Sequence, residues 1–156
     1  MAKKYMWTKR KEELLFTKIA KGKYIRRGIS CLFLPITKNV GAKLYKTKRI
    51  RDYAAKYQRL AADHKLGPQV GDSFTLEWNN IFLYNWASTK PIKVYGYLTQ
   101  VAQQLKRTPS LKQQHELHAK LVKIGLYCDD DKPMNLGRCG KNIVILDFGP
   151  ESVGRY

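Results

Sequence analysis

Apolar and polar positions divide the chain into short apolar runs separated by turn residues and two longer stretches with helical spacing. Residues 14–19 read as a short strand, and a basic loop bracketed by Gly22 and Gly28 follows. Residues 29–36 form an apolar strand whose Pro35 predicts an edge or a strand end. Lys38-Asn39 supplies a turn, and residues 40–45 form a third strand, giving an antiparallel meander of three. Over residues 48–65, Ile50, Tyr53, Ala54, Tyr57, Leu60 and Ala61 recur every three and four residues, which predicts a helix with one apolar face, stopped by Gly67-Pro68. Residues 73–78 and 80–85 read as a hairpin around Asn79-Asn80, and residues 94–98 as another strand. A second helix is predicted over 111–124, with Leu111, His115, His118, Leu121 and Val122 near one face and Gly125 as its C′ residue. Residues 143–146 read as a final buried strand.

Composition adds a partner class to this outline. Thirty Lys and Arg against twelve Asp and Glu give a formal charge of +18, densest before residue 60. Such a field suits anions: nucleic acid, nucleotide phosphates or an acidic protein. A solvated basic surface is the plain reading of the same charge. Ten tyrosines are present, but none of the spacing of an RNA-binding sheet. An apolar content of 44% argues against disorder, and no apolar run approaches the ~18–20 residues of a membrane span. Met1-Ala2-Lys3-Lys4 is not followed by the apolar core of a signal peptide. Cys31, Cys128 and Cys139 match no zinc spacing and predict reduced thiols in a cytoplasmic protein. The three histidines match no H-E-x-x-H pattern; His115 and His118 read as packing residues, as do Trp7, Trp78 and Trp86.

The chemistry concentrates in residues 125–149, where Asp130, Lys132, Asn135 and Asp147 occupy one polar turn and the end of one apolar strand. Carboxylates and an amide so spaced suit a divalent metal and the orientation of a hydroxyl, the needs of phosphoryl transfer. A polar loop with turn-capping side chains is the plainer reading. No G-x-G-x-x-G opens a helix and no Walker lysine motif is present.

Asp130-Asp131-Lys132-Pro133-Met134-Asn135 followed by Asp147-Phe148-Gly149 resembles the D-x-K-P-x-N and D-F-G motifs of the protein kinase-like family. The chain is similar to compact kinase-like proteins encoded by some bacteriophages. The resemblance implies an α+β fold: an antiparallel N-lobe sheet with one helix, over about residues 12–102 with the hinge, and a reduced C-lobe of one long helix and the catalytic-loop/D-F-G hairpin over 103–156, together one minimal domain. It implies ATP and Mg2+ as cofactors and transfer of the γ-phosphoryl group to a hydroxyl, on a protein acceptor. By the same resemblance Asp130 orients the hydroxyl proton, Lys132 offsets phosphoryl charge, and Asn135 and Asp147 hold the metal. Val40-Gly41-Ala42-Lys43 resembles V-A-I-K, so Lys43 reaches the phosphates, with Lys46 as a competitor. Gln58 stands where the family has the glutamate that pairs with this lysine, and an uncharged amide implies a weaker pair. Gly22 is the remaining glycine of the phosphate loop. Residues 97–102, with Gln100 and Ala102, resemble the hinge that meets adenine through backbone groups.

The chain ends seven residues past Gly149, so the activation segment, the A-P-E sequence and the larger C-lobe helices are expected to be absent. Cys128-Asp129 in place of His-Arg implies no regulation through activation-loop phosphorylation. Two alternatives follow from these departures. One is a pseudokinase that binds nucleotide or a partner without turnover. The other is a basic nucleic-acid-binding or virion-associated protein built on this scaffold. Host cytoplasm is the expected location for a viral protein, with no membrane partner.

Overall fold

A computed structural model describes residues 2–22, 25–27, 31–78, 81–83, 86–88, 90–129 and 132–155. The architecture is α+β. After a 3-10 turn at Lys3–Tyr5 comes helix α1 (Lys9–Ala20), then strands β1 (Ile25–Arg27), β2 (Cys31–Pro35) and β3 (Val40–Tyr45). Helix α2 (Lys48–Asp63) leads to β4 (Val70–Trp78), the small pair β5 (Ile81–Leu83) and β6 (Trp86–Ser88), and β7 (Ile92–Gln100). Then follow β8 (Gln103–Gln104), helix α3 (Leu111–Lys123), β9 (Leu126–Cys128), a 3-10 turn at Pro133–Asn135, β10 (Leu136–Cys139), β11 (Asn142–Ile145) and β12 (Val153–Arg155).

The main sheet has five antiparallel strands in the order β1-β2-β3-β7-β4. Alternation along each strand sorts side chains onto two faces. Leu32, Leu34, Val40, Ala42, Leu44, Val94 and Leu98 face one core, covered by Leu15 of α1. On this side Trp7 stacks on Phe74, with ring centroids 3.8 Å apart. Cys31, Tyr45 and Tyr97 face a second core, shared with α2, α3, β9, β10 and β11. Strand β3 is buried at all six positions because both of its faces are covered. The register that pairs Lys43 with Phe33 on one side and Tyr97 on the other therefore places Lys43 inside the molecule, over the second core.

Several sequence expectations change here. Residues 14–19 are helical, inside α1, whose Thr8 N-cap accepts from Lys11 N at 3.2 Å. The apolar triplet Leu14-Leu15-Phe16 mimics a strand, but only Leu15 is fully buried. The meander's first strand is instead β1. Ile81–Leu83 pairs with Trp86–Ser88, and β4 pairs with β7, so residues 73–78 and 80–85 do not form a hairpin with each other; Asn79-Asn80 lies outside the described residues. The apolar face of α2 read in sequence does pack on the second core, with Ala54, Tyr57 and Ala61 buried and Ile50, Tyr53 and Leu60 against them, but the buried stripe is wider and also takes in Arg51, Ala55, Gln58 and Ala62. Small alanines allow close approach to the sheet, and the two polar residues find backbone acceptors: Arg51 Nη1 donates to Phe74 O at 2.9 Å and to Gly96 O at 3.1 Å.

Helix α3 buries Leu117 and Leu121, whereas Leu111 and Val122 are 71% and 46% exposed and both histidines face out. Helix α2 stops at Asp63, before Gly67-Pro68. Its exit is closed by Lys65 N to Ala62 O at 3.0 Å and Leu66 N to Ala61 O at 2.8 Å, the paired bonds of a Schellman turn. The 143–146 segment is not the final strand, because β12 returns to pair with β9. Among the described residues no helix is long and apolar enough to cross a membrane, and no disulfide joins the cysteines.

Candidate functional site

Lys43 is the centre of a buried polar cluster between the sheet, α2 and the strand end that carries Asp147. Only 3% of it is exposed. Its Nζ donates to Gln58 Oε1 at 2.8 Å and to Leu146 O, and lies 5.3 Å from the centre of the Phe148 ring. A buried ammonium is tolerated only with such acceptors and a nearby opposite charge. Asp147, adjacent to Leu146 and 2% exposed, supplies that charge.

Gln58 is fixed by more than the lysine. Tyr97 Oη donates to its Oε1 at 2.7 Å, while its Nε2 donates to Thr99 Oγ1 at 2.7 Å and to Pro68 O at 3.0 Å. Tyr45 Oη lies 3.4 Å from Tyr97 Oη. Burial, followed by the charge of Cys31, pushes both phenols well above the ordinary value of 10, so both stay protonated. The amide thus both accepts and donates, which a carboxylate cannot do. The partner expected to make the weaker pair with Lys43 is thus itself held on three sides, by Tyr97, Thr99 and Pro68. Pro68, Tyr97 and Thr99 carried no signal of this role in sequence. Thr99 and Tyr97 alternate with the opposite-facing Leu98, and only the strand register puts them beside α2.

Asp147 sits in a tight turn. Its Oδ1 accepts from Gly149 N at 2.9 Å and its Oδ2 from Ser152 Oγ at 2.8 Å. Burial pushes its carboxyl above the ordinary 3.8, against the lowering pull of the Gly149 and Ser152 hydrogen bonds and the Lys43 charge. A raised folded-state pKa means that the native protein holds this proton more tightly than the unfolded chain, so ionisation costs stability as pH climbs from 3.8 through the folded value. Wild type is expected to lose stability relative to Asp147→Asn over that window, measured as urea midpoints at successive pH values. Parallel curves for the two proteins would refute the assignment.

Asn135 lies beside this turn: Leu146 N donates to its carbonyl at 2.8 Å, and the residue is buried. Asn135 and Asp147 are oxygen donors of the kind a hard divalent cation takes, and a desolvated carboxylate gains most from one. Among the described residues no three His, Cys, Asp or Glu side chains gather as a metal set. Any Mg2+ held here would complete its shell with water or ligand oxygens.

The other expected site residues are distributed unevenly. Asp130 lies outside the described residues. Lys132 is exposed at the entry to the 3-10 turn. Lys46 is exposed beyond the end of β3, while Lys43 occupies the buried position. Gly22 is not in a loop between strands: with φ of +67° it terminates helix α1. The loop that joins β1 to β2, residues 28–30, is outside the described residues.

Gln100 and Ala102 border a small cavity together with Phe33, Lys43, Pro68, Thr99 and Leu146. Its volume is about 10 Å³, at the lower limit for one water molecule. Phe33 forms part of its wall. A Cβ added at Gly41 would fall 2.5 Å from Phe33 Cε2, so glycine at 41 is what admits the ring. No protein-family model matches this chain, and no curated protein matches it in sequence.

Proposed function

We propose that this chain has a protein kinase-like fold whose Lys43 cluster is the phosphate and Mg2+ end of an ATP site, used to transfer the γ-phosphoryl group to a hydroxyl acceptor. The observation that carries this reading is the buried Lys43 ammonium, held by Gln58 of α2 next to the Asp147 carboxylate. Packing alone gives no reason to bury a cation and a carboxylate together, and a buried carboxyl shifted as Asp147 is belongs to the kind that concentrates at functional sites. The succession of a strand meander, a helix, more strands and a second helix before Asp147-Phe148-Gly149 adds support.

In this reading Lys43 neutralises phosphate charge, Asn135 and Asp147 hold Mg2+, Lys132 offsets charge on the transferred group, and Asp130 orients the attacking hydroxyl. The metal, when bound, supplies charge stabilisation at the phosphoryl oxygens. The Gln100 carbonyl and the Ala102 backbone are the groups offered to the base, since Gln100 N already donates to Gln69 O at 2.8 Å.

The cavity of about 10 Å³ beside Ala102 favours a second reading, a module that keeps the cluster without turning over nucleotide. Incubation with labelled ATP and Mg2+ separates the two. Phosphate incorporation by wild type, lost in Asp147→Ala, is the expected result. ATP-dependent thermal stabilisation without incorporation establishes the second reading, and neither stabilisation nor incorporation defeats both.

A further inference from the structure

We propose that the recess between the exit of α2, helix α3 and the β10–β11 hairpin is a second anion site, separate from the Lys43 cleft, that holds the phosphate backbone of a nucleic acid. The recess has a volume of about 250 Å³ and is lined by Lys65, Lys120, Arg138 and Lys141, with Glu116 as its one carboxylate. All four cations are exposed, and among the described residues none of them pairs with a carboxylate. Clustered like charges repel one another, so four cations gathered around a single carboxylate, with no ion pair formed, are costly until an anion arrives.

The backbone at Lys65 makes a second, independent point. Lys65 is the C′ residue of α2 and has φ of +60°, and among the described residues it is the one non-glycine with positive φ. Left-handed backbone favours glycine, and α3 ends the same way with Gly125 at φ of +77°. Of two equivalent helix exits, the one at the recess carries a strained lysine. The strain is explained when the cation is needed there.

The form of the ligand follows from what surrounds the recess. No Phe, Tyr or Trp lines it and His64 is its single ring, so it lacks the row of aromatic side chains on which successive bases stack. Along α3, exposed Lys112 and Lys123 continue the positive stripe beyond both ends of the recess. A ligand that uses the whole stripe is longer than the cavity and densely charged, which describes a phosphodiester backbone read without sequence preference. The net charge of +18 draws the same class of partner from a distance.

The test is fluorescence anisotropy of the full chain with a labelled mixed-sequence single strand of about 20 nucleotides across a salt series. Arg138→Ala/Lys141→Ala is expected to weaken binding about tenfold and to lower the slope of log affinity on log salt by about 0.7 per cation removed. Lys65→Gly is expected to weaken binding while raising the melting temperature, since it relieves the backbone and removes the cation. Lys9→Ala/Lys21→Ala, at the start and the C-cap of α1 across the sheet, removes equal charge and is expected to leave the slope unchanged. The proposal fails if the α1 pair weakens binding as much as the recess pair, if no binding occurs at low salt, or if poly-glutamate displaces the oligonucleotide at equal charge concentration.

Discussion

Replacing Gln58 with leucine is expected to destabilise the protein by about 4 kcal/mol, the largest effect of any conservative-volume change in the site. Four groups depend on that amide: the Lys43 ammonium, the Tyr97 hydroxyl, the Thr99 hydroxyl and the Pro68 carbonyl. Leucine leaves a buried cation short of an acceptor and orphans a buried carbonyl, and neither is open to water. Gln58→Glu, the residue the kinase motif would have, is expected to fall between leucine and wild type. A carboxylate still accepts from Lys43 and Tyr97, but it cannot donate to Pro68 O and places like partial charges about 3 Å apart. A loss of about 1–2 kcal/mol follows. Urea unfolding at neutral pH ranks the three proteins. If Gln58→Glu is more stable than wild type, the amide is a relic of an ion pair and not the hub described above.

Phe33→Ala is expected to cost about 3 kcal/mol of stability and, under the proposed function, to tighten ATP·Mg binding at least about tenfold. Phe33 is 5% exposed and forms the wall of the cavity beside Lys43, Thr99 and Ala102. Truncation removes packed aromatic surface, which is the stability cost. It also opens the space over Gly41 that the ring fills, and a base could then approach the Gln100–Ala102 backbone without first displacing a side chain. Calorimetric titration with ATP and Mg2+ reads the affinity, and thermal unfolding reads the cost. If stability falls and affinity does not rise, Phe33 is not what restricts the base.

How much of this was legible in the sequence varies by element. Strand β3 was readable to the residue, because a run of apolar or small positions, interrupted only by Lys43, lies between turn residues and admits few alternatives. Helix α3 was readable as a helix but not in its orientation. Leu111 and Val122 are as apolar as Leu117 and Leu121, and only the packing of β9 and α2 decides which pair is covered. The first helix was missed because its apolar residues are few and clustered, while Thr8, a weak single-residue signal, sets its start. Lys43 and Asp147 were both legible as chemistry. Their convergence was not, since they lie about a hundred residues apart in the chain and meet through Leu146 O.

By itself, then, the sequence determined which groups are available for chemistry: one lysine in a strand, an Asp-Phe-Gly turn, a nearby asparagine and a strong positive charge. It also determined most element types, because local periodicity and turn residues are local physics. The tertiary structure alone decided three further things. It made Gln58 a hub, because burial forces every polar atom of that amide to find a partner. It placed Phe33 over Gly41, because strand register sets which side chains share a face. It gathered Lys65, Lys120, Arg138 and Lys141 from a helix exit, a second helix and a hairpin into one recess. Each depends on contacts between distant segments, and such contacts exist only once the chain has packed.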